Sequence, residues 1–230
     1  MKRTLIALLA VLAALGNTAG AFAATTEITA SGTGSVSLPP DVATVAAAVE
    51  TNAPNANDAI AQNNAAYDRI VSSLSKLGIA RGDVALLYYN VSYNPRPATT
   101  AVAPGERYGY TVSRSFSVKV RAIASAGQIS DACIAAGATS IEGVTFGLAN
   151  AGAARVQATE KAVAEARNNA QAIAEAASLR IVGIKSIELT GGGPGPVPLM
   201  RAAAPSATTR FDASNVSVTV SVSMVFLAEP

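Results

Sequence analysis

The chain has 230 residues, 50% of them hydrophobic and only 14% charged, with 17 basic against 15 acidic side chains, one cysteine and no histidine. Without histidine, Ser-His-Asp and Cys-His catalysis and the histidine-containing zinc sites are excluded, because each needs an imidazole as base or ligand. The lone thiol cannot form an internal disulfide, and a near-neutral chain without a basic block lacks the electrostatic footprint of a nucleic-acid binder.

The N-terminus has the zones of a secretory leader: Lys2-Arg3, an apolar run from Leu5 to Leu15, and the small residues Ala21-Phe22-Ala23. Cleavage is expected after Ala23, so that residues 1–23 are a signal peptide and residues 24–230 the exported protein. Lys2 and Arg3 leave with the leader, which balances the remaining charge. The apolar run is shorter than the ~20 residues of a membrane helix, and no later stretch approaches that length, so no transmembrane segment is expected after cleavage.

The exported part opens with "TASGTGSVSLPPDVATVAAAVE", Thr29 to Glu50. Gly32-Thr33-Gly34 is not followed by the helix that a phosphate-cradling loop requires. Ser35 to Leu38 alternates polar and apolar, and Pro39-Pro40 forbids helix, so the local reading is strand, bend, strand. Pro40-Asp41 reads as a stiff corner, with the aspartate accepting from nearby backbone N–H groups. Val42 to Glu50 is apolar on both faces, as in a sheet covered on each side.

From Asp58 to Leu77 the period becomes helical, with Ile60, Tyr67, Ile70, Val71, Leu74 and Leu77 on one stripe and Gly78 at the C-cap. "DVALLYYNVSYNP" is then a strand dense in large residues, and Pro95 to Pro104 a loop or hairpin tip. From Tyr110 to Arg121 apolar and polar residues alternate, which predicts an antiparallel strand with one wet face and Arg114 as an exception on its dry side. A short helix over Ser125 to Ala136, ending at Gly137, precedes the strand "TSIEGVTFGL", where Gly143 marks a bulge.

The longest helix is predicted over Ala151 to Leu179, with a small-residue stripe of Val156, Val163, Ala166, Ala170, Ile173 and Ala177. Its charged residues read as a solvated face with pairs such as Lys161 to Glu165. A strand follows near Val182 to Leu189, then a flexible Gly/Pro-rich loop over 190–213. The chain closes on a strand in which Val216, Val218, Val220, Val222, Met224 and Phe226 alternate with serine and threonine.

The element order is ββαββ followed by αβαββ. It predicts an α+β fold of mostly antiparallel sheet with helices packed on a face, a single domain over 24–230 with lobes 24–124 and 125–230. Three helical segments argue against a membrane β-barrel.

Candidate chemistry is sparse. Cys133, in "SDACIAAGA", reads as a small buried hydrophobe. The carboxylates Glu160, Glu165 and Glu175 on the long helix, and Asp41, Asp83 and Glu142 elsewhere, are not brought into an acid-base pair by their spacing. Tyr88, Tyr89, Tyr93, Tyr108 and Tyr110 read as core first and as a small-molecule or peptide platform second. No catalytic, cofactor-binding or metal-binding residue is assigned, the binding residues are left unknown, and the chain is expected not to be an enzyme.

Taken in order, "ITASGTGSVSLPPDVATVAAAVE", "LSKLGIARGDV", "GYTVSRSFSVKV", "GATSIEGVTFGL", the alanine-rich helix and "VSVTVSVSMVFLAEP" resemble the SIMPL-domain family over essentially the whole exported chain. The leucines of "LLYYNVSYNP", where the family often has a threonine, and the Gly/Pro insertion depart from its pattern. The resemblance implies a periplasmic, immunogenic or outer-membrane-antigen-like protein without known catalytic residues. It also implies self-assembly into a homo-oligomer, a role in envelope or oxidative-stress tolerance, and peripheral association with the outer membrane. A periplasmic small-molecule or peptide binding module is the alternative.

Overall fold

The computed structural model describes residues 25–95, 107–191 and 209–230. The expected signal peptide, positions 96 to 104 of the predicted hairpin tip and most of the predicted Gly/Pro-rich loop lie outside the described residues. Among the described residues, seven strands and three α-helices follow in the expected order: β1 (Thr26–Leu38), β2 (Val42–Ala53), α1 (Ala56–Lys76), β3 (Val84–Asn94), β4 (Gly109–Val120), α2 (Ala126–Ala136), β5 (Ser140–Gly147), α3 (Gly152–Ala176), β6 (Arg180–Gly191) and β7 (Val216–Glu229).

They form two antiparallel sheets, one ordered β1-β7-β6 and the other β3-β4-β2-β5. The partition is nested: β1 pairs with β7 along its whole length, Thr26 opposite Ala228 to Leu38 opposite Val216, while everything from β2 to β5 belongs to the second sheet. The sheets therefore do not follow a division of the chain at residue 124. Nor do β1 and β2 pair with each other. The Pro39-Pro40-Asp41 corner passes the chain from one sheet to the other, because two prolines in succession cannot turn tightly while supplying ladder donors.

Each sheet has its own core. In the four-stranded sheet, Val45, Ala47 and Val49 of β2, Phe116 and Val118 of β4, and Val144 of β5 meet Ile70 and Leu74 of α1 and Ile129 and Cys133 of α2. Tyr67 packs edge-on against Phe116 with ring centroids 5.4 Å apart, a geometry favoured by the ring quadrupoles. Both helices cover the same face. Thr44, Ala46 and Ala48 on the other face are half-buried, so β2 is not covered on both sides as its composition predicts.

In the three-stranded sheet, Val218, Val220, Val222, Met224 and Phe226 of β7 face α3. The buried stripe of α3 is purely alanine: Ala154, Ala158, Ala162, Ala166, Ala170 and Ala174. Val156 and Ile173, predicted on this stripe, are exposed. The reason lies in β1, where a Cβ on Gly32 would stand 2.1 Å from the Ala162 carbonyl oxygen and one on Gly34 1.8 Å from that of Ala158. The Gly32-Thr33-Gly34 stretch is thus no bend. It runs straight within β1 and allows the helix backbone to lie directly on the strand, a distance at which only alanine fits.

Helix ends follow the expected chemistry. Asn55 caps α1 by accepting from the Asp58 N–H at 2.8 Å. Gly78 (φ 83) and Gly137 (φ 118) take the left-handed position after α1 and α2. After α3 the same position is held by Ser178 at φ 55, with Ser178 N–H to Glu175 O and Leu179 N–H to Ala174 O closing the same double-bonded cap. The Gly143 region carries the predicted irregularity, a register shift opposite Ala46 and Ala47 that leaves Glu142 extra.

The segment that follows the Gly/Pro-rich sequence is held in place. Thr209 donates through its N–H and Oγ1 to the Asp131 carboxylate, and Phe211 meets Phe146 edge-on at 6.4 Å. The flexibility expected up to residue 213 therefore does not extend to this stretch.

Candidate functional site

The predicted carboxylates do not assemble. Asp41 accepts from the Ala149 N–H at 2.5 Å while its own N–H donates to Gly147 O at 3.0 Å, so it fastens the inter-sheet corner to the β5–α3 connection. Asp83 binds both Arg121 guanidinium nitrogens at 2.5 and 2.8 Å, and that hydrogen bonding holds its carboxyl below the usual value. Glu142 accepts from Ser115 Oγ at 2.8 Å.

Glu160 and Glu175 are about 22 Å apart along the axis of α3, at 1.5 Å per residue. Glu165, expected to pair with Lys161, instead accepts from the Thr33 N–H at 2.8 Å, and Lys161 donates to Ser35 O at 3.1 Å. Asn169 donates to Ser31 O. Together these side chains occupy the outer edge of β1. Cys133 is fully buried, and desolvation pushes its thiol pKa up to about 11. Among the described residues no group of three or more metal-binding side chains comes together, and no helix is long and apolar enough to cross a membrane.

The tyrosines give the clearest departure from expectation. Tyr88, Tyr89 and Tyr93 are not core. They stand on β3, an edge strand, where Leu86, Leu87, Tyr88 and Tyr93 are 58, 57, 55 and 60% exposed. The cause is sheet order: α1 packs over β2 and β4, and β3 extends beyond the helix. Tyr110 is half-buried and meets Tyr93 at a tilt, with ring centroids 4.8 Å apart; Tyr108 is half-buried.

Arg114, the cation on the dry side of β4, lies between two rings, 4.6 Å from the Tyr67 centroid and 5.1 Å from that of Tyr89. It also donates to Asn64 Oδ1 at 2.7 Å. Arg81 donates to the Tyr67 hydroxyl at 3.0 Å. A guanidinium is planar and weakly hydrated, so stacking on the two rings suits it to a half-buried position. This cluster joins α1 to β3 and was signalled in the sequence only by the irregular Arg114. Asn63, buried against the same sheet, donates to Val49 O and Val112 O and leaves its Oδ1 without a partner among the described residues.

The four sheet edges differ in protection. The outer edge of β1 is occupied by α3 side chains; β5 is short, irregular and carries Glu142; β6 has three register shifts and the charges Arg180, Lys185 and Glu188. Lys185 also makes an ion pair with Glu27. The sequence of β3, VALLYYNVSYN, has no charged residue. After one shift between Leu86 and Tyr88 its register with β4 is regular from Tyr88 to Asn94. Charges, bulges and covering elements are the devices by which edges avoid pairing with other chains, and β3 has least of them.

An α+β protein of two antiparallel sheets, with its exposed apolar surface concentrated on edge strands and no cluster of metal-binding side chains among the described residues, is thus the class that fold and geometry define. The chain belongs to the SIMPL family, described as proteins of unknown function (DUF541), which matches residues 28–226. It is 29% identical over 212 residues to the 26 kDa periplasmic immunogenic protein of Brucella melitensis, covering 87% of this chain and 84% of that one. It is 27% identical over 211 residues to the uncharacterized protein YggE of Escherichia coli K12, covering 89% and 84%. The YggE of Edwardsiella ictaluri is 27% identical over 213 residues, with 90% and 88% covered.

Proposed function

We propose that the protein is exported to the periplasm, there acts through its surfaces without catalysing a reaction, and self-associates as part of envelope or oxidative-stress tolerance. The observation that carries this reading is β3: a long, uncharged edge strand with large side chains exposed on it. Such an edge is a template for main-chain pairing with another chain. The leader-like residues 1–23 and the Brucella relative's name, a periplasmic immunogenic protein, support the location. Peripheral contact with the outer membrane belongs to the same proposal. The individually engaged acids Asp41, Asp83 and Glu142 support action by contact over acid-base chemistry.

The mass of residues 24–230 in solution tests the reading. Light scattering behind gel filtration across micromolar concentrations is expected to give a multiple of the chain mass, and a strict monomer throughout would refute self-association.

The second reading, a small-molecule or peptide binding module, rests on the same strand, because an extended peptide can add to a free edge with pockets for alternate side chains. Tyr88, Tyr89, Tyr93 and Tyr110 would line it. A ligand of this kind raises the melting temperature with the logarithm of its excess over Kd, so a thermal-shift screen with peptides separates the two.

A further inference from the structure

We propose that the self-association surface is β3 itself and that its occupant is the β3 of a second copy, paired antiparallel about a two-fold axis at Val91. The inference rests on the reading of the protein as self-associating and names the residues that would do it.

Three observations lead to it. The first is the contrast among edges: β1, β5 and β6 each carry a covering helix, a charge or repeated irregularities, and β3 carries no charge from Val84 to Asn94. A two-fold axis sets each group near its own copy, so a strand with no charge pairs with itself without repulsion. A charged client peptide would find no complement there.

The second is register. The regular stretch of β3 runs from Tyr88 to Asn94, and Val91 is its midpoint. Antiparallel partners that lie directly opposite point to the same face, so an axis at Val91 places Tyr89 of one copy opposite Tyr93 of the other. Tyr89 lies on the α1 side, where Arg114 joins it to Tyr67, and by alternation Val91 and Tyr93 lie there too. The strip of β3 left uncovered by α1 would then be flanked by the two α1 helices, and the two four-stranded sheets would become one.

The third is size. Within the paired stretch Tyr88, Tyr89, Val91 and Tyr93 leave 37 to 60% of their surfaces exposed. At ~150–250 Å² for a large side chain, that is roughly 400 Å² of side chain per copy open to burial, about half of the ~800 Å² per partner of a standard interface, to which the paired main chain adds.

The native cysteine makes the test clean, because Cys133 is buried. In a Cys133→Ala background, Val91→Cys stands opposite itself with Cα atoms ~4.5–5.5 Å apart, within disulfide range. Mild oxidation is expected to give a covalent dimer on non-reducing gels, while Ile187→Cys on β6 stays monomeric. Tyr93→Lys, a substitution at an exposed position, is expected to weaken association at least 100-fold with its circular dichroism unchanged. If the wild type associates but Val91→Cys does not cross-link and Tyr93→Lys leaves the mass unchanged, β3 is not the interface and self-association stands. Cross-linking at Ile187 in place of Val91 would move the interface to β6 and overturn the inference. A wild type monomeric at every concentration removes both.

Discussion

Gly32 of β1 and Ala162 of α3 meet backbone to backbone: a Cβ on the glycine would be 2.1 Å from the alanine carbonyl oxygen and 2.4 Å from the Ala166 nitrogen. The contact is closed by Glu165, Lys161 and Asn169, which reach from α3 to the main chain of β1. Close approach is thus coupled to edge protection, since the polar side chains reach the strand only because the helix lies against it.

Gly32→Ala or Gly34→Ala is expected to cost about 3 kcal/mol or more, at the upper end of overpacking penalties, because the obstacle is helix backbone and not a movable side chain. Gly143→Ala, with nothing within 4 Å of its Cβ, is the control. Urea unfolding should show a large fall in midpoint for the first two and almost none for the third.

Ser178 pays for a left-handed conformation, φ 55, in a cap where glycine has no such steric penalty. Ser178→Gly relieves roughly 1–2 kcal/mol of strain and returns part of it as unfolded-chain entropy. A net gain of about 0.5–1 kcal/mol is expected, read as a rise in melting temperature of about 1–4 °C for a chain of this size.

The Asp83–Arg121 pair makes a signed pH prediction. Hydrogen bonding to Arg121 lowers the Asp83 pKa in the folded state from its ordinary 3.8, so its stabilising contribution is present above that value and is lost as pH falls through the lower, folded-state pKa. Asp83→Asn should be less stable than wild type at neutral pH, and the gap should close in acid titrations followed by circular dichroism. A gap that persisted at the lowest pH would show that ionisation of Asp83 is not what stabilises the pair.

Cys133 should be inert. With its thiol buried and its pKa near 11, the thiolate is scarce at neutral pH and reagents cannot reach it. Ellman's reagent is expected to titrate no thiol in the native protein and one per chain in denaturant, and rapid native labelling would contradict the packing of α2.

Much of this fold is legible in the sequence, because periodicity reports which residues share a face. The alternation Val218, Val220, Val222 against Thr219 and Ser221 identifies β7, and Gly78 and Gly137 mark their helix ends. What periodicity does not report is the neighbour. The union of β1 with β7 joins residues 26 and 228, and no local signal carries it. The α3 stripe is shifted for the same cause: Val156 and Ile173 dominate a sequence-based face, while the real contact is set by Gly32 and Gly34 far away. The tyrosines of β3 read as core because exposure depends on being last in a sheet, a property of sheet order. Arg114, out of pattern on a dry face, was the one residue whose irregularity pointed to the Tyr67–Tyr89 cluster beside that edge.

The central claim, that the protein works by pairing its β3 edge, is tested most directly by hydrogen exchange of the amides from Tyr88 to Asn94 in dilute and concentrated solution. Amides on the free edge should become protected as concentration rises, with the amides of β1 unchanged. Exchange along β3 that is identical at both concentrations, in a sample whose mass has increased, would contradict it.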